Sequence, residues 1–249
     1  MSTVWAEASF AARVLVVAGL TVLAATAYGV GLRWLPVWAI LRAGLQLSVV
    51  ALLLRGVLAF PATAAAFLVL MLTTASLTSM RRTRELWRGR TAAALGVTTG
   101  AVVSLAVIFA LHLAQLEARY VVATGGIIIG NAMSAATLSG RNFLRSSRAR
   151  SSEVEAWLSL GAAPWLAHRD IAREAVHESL IPNLDQTKST GLVTLPGAFV
   201  GALFGGASPI EAAKFQLVVL AGIALAMVIT AIVMTAVVRR SPYVLDTAR

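Results

Sequence analysis

The chain has 249 residues, 58% of them hydrophobic and only 13% charged, whereas soluble domains are about half apolar and about a quarter charged, so this composition requires a lipid solvent. It contains no cysteine, which excludes disulfides, thiolate metal sites, iron–sulfur clusters and cysteine nucleophiles. The formal charge of +10 does not describe a nucleic-acid surface, because Lys and Arg lie between apolar runs and so report membrane topology.

A membrane crossing takes about 20 mostly apolar residues. The first candidate lies near 10–28. Its Ala25-Thr26-Ala27 has the look of a signal-peptide cleavage site, but no basic residue precedes Arg13, and the charges downstream want 29–35, with Arg33, inside. It is therefore read as a span. The second, near 36–54, carries Arg42 and Gln46 one turn apart on one face, and 55–59 follows with Arg55. The third, near 60–79, runs into Arg81, Arg82, Arg84, Arg88 and Arg90. The fourth, near 92–113, ends by His112, and the connection after it holds only Arg119. The fifth, near 120–139, has Asn131, Met133 and Ser134 in mid-span.

A long polar connection, 140–189, holds Arg141, Arg145, Arg148, Arg150, Arg169, Arg173 and Lys188. The sixth candidate, near 190–207, is short and interrupted by Pro196, Gly197, Gly201 and Gly205. The seventh, near 214–238, precedes Arg239 and Arg240. Placing 80–91, 140–189 and the tail after 238 in the cytoplasm satisfies the positive-inside rule and requires an external N-terminus with an odd number of spans. The expectation is an all-α, polytopic integral membrane protein of about seven transmembrane helices, a single transmembrane domain over 1–249 with a cytoplasmic segment at about 141–188.

Within that segment Arg141, Arg145 and Arg148 recur at i, i+4 and i+7 and share one face of a helix continuing the fifth span. They read as an anchor among lipid phosphates, with partner contact as the alternative. Residues 153–162 form a short helix whose apolar members Val154, Trp157, Leu158 and Gly161 make a stripe, with Gly161 placed to end it. Such a stripe suits the membrane interface, a partner's groove, or a cover over the bundle end. His168 and His177 are off a common face, and with His112 show no metal-ligand spacing.

Glu155-Ala156, followed by Gly161, looks like the start of the E-A-A-x-x-x-G coupling motif of ABC-transporter permeases. The continuation departs, with Arg173-Glu174 where Leu-Pro is expected. A wider series is more specific: Gly130-Asn131-Ala132-Met133, Glu153 to Ala156, Leu160-Gly161-Ala162, 181–188, 191–197, Gly205-Gly206-Ala207-Ser208-Pro209 and Ala213-Lys214-Phe215-Gln216. In order and spacing it resembles the FetB-type iron-export ABC permease family, densely over 125–220. Ser134 stands where that family suggests Asn, and Arg145-Ser146-Ser147 where it is richer in acid.

The resemblance implies a permease subunit that forms a homodimer and pairs with a cytoplasmic ABC ATPase in a bacterial inner membrane, exporting iron or another metal. The ATPase-coupling residues would be Glu153, Glu155, Ala156, Trp157, Leu158, Gly161 and Ala162. ATP and magnesium would belong to the ATPase, because this chain has no G-x-x-x-x-G-K-[ST] phosphate loop. No cofactor and no nucleic acid are expected here, and membrane lipid surrounds the chain.

Polar groups within spans are costly and point to a pathway or a buried pair. Arg42, Gln46, Asn131, Met133, Asp185 and Lys188 are the candidates for a substrate path; the competing reading is helix-to-helix hydrogen bonding for Asn131 and a local ion pair for Asp185 with Lys188. No metal site is assigned. Gly126 and Gly130, and Gly197, Gly201 and Gly205, repeat every four residues as helix-packing stripes, between copies or within the chain. A stand-alone secondary transporter and a non-transporting membrane scaffold or sensor remain as alternative functions.

Overall fold

The computed structural model describes residues 2–59 and 63–242, so residues 60–62 of the third expected span and 243–249 of the basic tail lie outside the described residues. Among the described residues the chain is all-α, with one isolated bridge between Thr190 and Thr194. It divides into two compact units, residues 1–60 and 61–249.

The first unit is a pair of apolar helices packed on each other, α1 (Ser2–Ala27) and α2 (Leu35–Ala59). Arg42, Gln46 and Arg55 all fall within α2, and the first two are exposed.

The second unit contains α3 (Thr63–Arg82), α4 (Gly89–Ala110), α5 (Ala118–Ala149), α6 (Ser151–Ser159), α7 (Pro164–Ala167), α8 (Arg169–Lys188), α9 (Gly197–Phe204) and α10 (Pro209–Val238). Side-chain neighbours fix the helix directions. Leu68 meets Gly125, and the Ser79 hydroxyl donates to Met133 O at 3.4 Å, so α3 and α5 run parallel. Tyr120 stacks edge-on with Phe215 at 5.6 Å, and Gly222 meets Ile128, so α5 and α10 also run parallel. Thr230 packs on Gly96 and Gly100, and Ile108 on Gly222, so α4 runs antiparallel to α10.

Glycine allows the closest of these approaches. A Cβ on Gly100 would collide with the Thr230 hydroxyl and the Ala226 carbonyl. Two hydrogen bonds seal the seam, Thr230 Oγ1 to Gly96 O at 3.0 Å and Ser104 Oγ to Gly222 O at 2.7 Å. Each contributes about 0.6 kcal/mol in a membrane bundle, so close backbone packing carries most of the contact.

Among the described residues six helices are long and apolar enough to cross a membrane: α1, α2, α3, α4, α5 and α10. The expected single span over 190–207 is corrected. That stretch is a loop followed by α9, whose eight residues reach only about 12 Å at 1.5 Å per residue. Proline is the cause: Pro196 has no N–H, and its ψ of 149° places it outside a helix. Because α5 and α10 point the same way, the chain returns between them along α8 and α9. Proline is tolerated within α8 at Pro182.

A cluster of Leu86, Phe143, Val154, Ile171, Ala175, Met234 and Val238 closes one end of the unit. Phe143, Ile171 and Val238 tie α5, α8 and α10 together there. The basic residues expected inside gather at this same end: Arg81 to Arg90 across the end of α3 and the start of α4, Arg141 to Arg150 closing α5, and Arg239 and Arg240 after α10.

Candidate functional site

At the basic end, α6 starts one residue after α5 stops and packs beneath the bundle. Val154 is buried in the terminal cluster with Leu158 against it. The expected stripe is therefore split. Trp157 points away, 47% exposed, and Glu153, Glu155 and Ala156 are exposed as well.

Gly161 ends the helix, as its position predicts. At φ 84° it adopts a conformation that costs other residues about 1–2 kcal/mol. This lets Gly161 N–H donate to Leu158 O and Ala162 N–H to Trp157 O, both at 3.0 Å, which is the Schellman arrangement. The chain then turns into α7, where Trp165 is 48% exposed. Trp157 and Leu160 on one side of Gly161, and Trp165 and Leu166 on the other, thus give the α6–α7 corner exposed apolar side chains, with Glu153 and Glu155 exposed on α6. The Arg239 guanidinium lies over the Trp165 ring at 6.0 Å.

Behind this corner, His168 is fully buried, with Nδ1 donating to Pro164 O at 2.9 Å and the ring 5.7 Å from Phe143. Glu174, at the departure from the coupling motif, forms an ion pair with Arg150 and accepts from Ser146 Oγ at 3.3 Å. The residue that breaks the motif therefore clamps α8 to the end of α5. Arg148 reaches Glu85 at 3.5 Å, while Arg141 and Arg145 stay exposed.

The second region is a cavity of about 350 Å³ between α5, α8, α9 and α10. Asn131, Asn183, Gln186, Thr187, Thr190 and Gln216 supply its polar lining, with Pro196, Gly197 and Ala198 at the break. Gln216 sits 7 residues from the start of α10, about 10 Å along the helix, so the cavity lies toward the end opposite the basic one. Gln216 is buried, and its Oε1 accepts from Phe199 N–H at 3.1 Å, serving one of the orphan donors that open α9.

The expected path residues separate. Asn131 lines the cavity, its Nδ2 donating to Ile127 O at 2.9 Å. Met133, two positions on, faces the α3–α4–α5 core. Asp185 and Lys188 form the expected local pair at 3.1 Å, exposed on α8 beside the lining. Arg42 and Gln46 belong to the first unit. Gly126 packs on Met71. Among the described residues Gly130, Gly197 and Gly201 meet no side chain, and Gly205 meets only local backbone. Gly96, Gly100 and Gly222, which also pack closely, went unnoticed because α4 and α10 look uniformly apolar.

Asn183, Gln186 and Gln216 were also missed as cavity residues. Gln186 and Thr187 follow Asn183 at i+3 and i+4, so a polar face of α8 was the available signal. Among the described residues no group of three or more His, Asp or Glu gathers as a metal site.

A capping box orders the turn between α9 and α10. Ser208 Oγ receives Glu211 N–H at 3.3 Å, and Glu211 Oε2 receives Ser208 N–H at 3.0 Å. Gly206, at φ 90°, makes the preceding reversal out of α9.

A family model described as an uncharacterised protein family, UPF0014, matches residues 7–243. The rice (Oryza sativa subsp. japonica) "UPF0014 membrane protein STAR2" is 34% identical over 76% of this chain and 67% of its own. The Arabidopsis thaliana "Protein ALUMINUM SENSITIVE 3" is 31% identical over 84% of this chain and 77% of its own. The Escherichia coli (strain K12) "Probable iron export permease protein FetB" is 29% identical over 73% of this chain and 71% of its own. No solved structure matches the chain.

Proposed function

Since the chain belongs to the UPF0014 membrane protein family, we propose that it is the permease subunit of an ABC transporter, exporting iron or another metal with energy from a separate cytoplasmic ATPase. The observation that carries this reading is the α6–α7 corner. It is anchored by buried Val154, ended by Gly161, and presents Trp157, Leu160 and Trp165 outward, with Glu153 and Glu155 exposed on α6, at the basic end of the bundle. Exposed aromatic and leucine side chains beside charge suit a groove on a soluble partner.

In this arrangement the basic end faces the cytoplasm of a bacterial inner membrane. The discontinuous pair α8 and α9 makes a seventh crossing, which puts the N-terminus outside. Motion of the corner would pass along α8, clamped to α5 by Glu174 and Arg150, toward the cavity. Two permease copies and two ATPase copies form the assembly. Among the described residues the cavity lining contains no ionisable side chain, which favours the ATP-driven reading over proton coupling through it.

The test is co-expression and co-purification of the chain with candidate ABC ATPases that carry a phosphate loop. A stable complex whose ATP turnover responds to the permease supports the proposal. Flux driven by an ion gradient with no ATPase present points to a secondary transporter, and binding without any flux points to a scaffold.

A further inference from the structure

The two walls of the cavity are unequal in hydrogen-bonding capacity. Where α8 ends, the backbone acceptors are engaged: Asn183 O takes Thr187 Oγ1 at 2.8 Å, and Gln186 O takes Thr190 Oγ1 at 3.0 Å. Asp185 O takes Ser189 N–H and Thr187 O takes Thr190 N–H, both at 3.1 Å. Where α9 begins, the donors are open. Gly197 and Ala198 line the cavity, and their N–H groups have no acceptor among the described residues.

Gln216, on α10, lies against the same wall. It is 5% exposed, and Phe199 occupies its Oε1. Its Nε2, with two hydrogens, has no acceptor among the described residues and belongs to a side chain lining the same wall. The Asn183 and Gln186 amides also line the cavity without a partner among the described residues, and each can turn an NH2 group inward. Among the described residues no carboxylate lines the cavity, and neighbouring Asp185 is held by Lys188 at 3.1 Å.

We propose that this cavity binds an oxyanion, a carboxylate or phosphate group on the transported molecule, received by Gln216 Nε2 and the Gly197 and Ala198 N–H groups. Describing the ligand as transported rests on the permease reading; the binding itself does not. Neutral N–H donors at the positive end of a helix favour an anionic oxygen. The remaining oxygens of Asn131, Thr187 and Thr190 accept from hydroxyl groups of the same ligand. At about 350 Å³ the space exceeds a bare ion, since one water occupies about 30 Å³.

A bare metal cation favours carboxylate or imidazole ligands, and the lining offers neither. Metal cargo therefore enters this site as a complex whose outer surface is anionic oxygen.

The test is equilibrium dialysis of the purified full-length chain, without ATPase or ATP, against radiolabelled citrate and inorganic phosphate, first in neutral detergent and then in nanodiscs. Failure of the ATPase reading leaves this measurement unaffected. Gln216→Glu keeps an oxygen for Phe199 N–H and replaces the NH2 donor with an anionic oxygen, so binding should weaken at least about ten-fold. Asn183→Leu, away from the α9 cap, should weaken it less and serves if Gln216→Glu does not fold. The proposal is overturned if neither anion binds saturably, or if folded Gln216→Glu binds as the wild type does. It is also overturned if ferric or ferrous iron alone saturates the site, or if phosphatidylglycerol in the nanodisc abolishes citrate and phosphate binding, which would assign the site to a lipid headgroup.

Discussion

Glu174 of α8 is paired with Arg150 at the end of α5, so the residue that departs from the coupling motif is the one that fastens the return helix to the bundle. Both side chains are partly exposed, at 34% for Arg150 and 42% for Glu174, which limits the pair to about 0.5–1 kcal/mol. Glu174→Leu should lower stability by no more than about that amount. The charge-swapped double variant, Arg150→Glu with Glu174→Arg, should recover most of the loss. Thermal unfolding in mild detergent, arranged as a double-mutant cycle, measures the coupling.

Replacing Gly161 should affect coupling more than insertion. Gly161→Val places a β-branched side chain at φ 84° and costs about 1–2 kcal/mol locally, whereas Gly161→Asn should be milder. Both variants should reach the membrane in normal amounts. With the ATPase bound, transport per ATP hydrolysed should fall for valine and partly recover for asparagine. Equal, normal transport by both would remove Gly161 from the coupling role.

The α4–α10 seam should depend on bulk more than on its hydrogen bonds. Thr230→Val removes one bond worth about 0.6 kcal/mol and should be nearly silent. Gly100→Leu drives a side chain into Thr230 and the Ala226 carbonyl, and should cost about 3 kcal/mol or more through forced backbone separation. Chemical unfolding of the two variants in the same detergent ranks them; the reverse order would contradict the seam.

Much of the architecture was legible because it depends on apolar length and charge placement. Five of the expected internal or C-terminal features, the spans near 60–79, 92–113, 120–139 and 214–238 and the short helix ended by Gly161, correspond to α3, α4, α5, α10 and α6. The sixth expected span was misread because α8 is too polar for a hydropathy signal while α9 is apolar but too short. Only the parallel packing of α5 and α10 reveals that the two make the return together. Asn131 was legible as an intramembrane amide, yet Gln216 was not: inside the apolar run of α10, nothing in the local pattern separates a helix cap from an isolated polar residue. Trp157 reads as part of one stripe with Val154 and Leu158 because i+3 and i+4 spacing alone does not say which members pack on the bundle and which face outward. Burial of Val154 and Leu158 does.

Topology can be tested without background, since the chain has no cysteine of its own. Ser159→Cys on α6 and Leu116→Cys between α4 and α5 are both exposed positions. A membrane-impermeant maleimide should label position 116 from outside intact cells and position 159 only in inverted vesicles. Labelling of both from one side would break the proposed orientation.

The central claim, that this chain is the membrane half of an ATP-driven exporter, is tested most directly in sealed vesicles holding it together with its ATPase. ATP should drive iron across the membrane, presented with citrate. Flux should require both subunits and be lost when Glu155 and Trp157 are both changed to alanine. Iron movement that is the same without ATP or without the ATPase, or a complete absence of flux from a complex that hydrolyses ATP, would contradict the account.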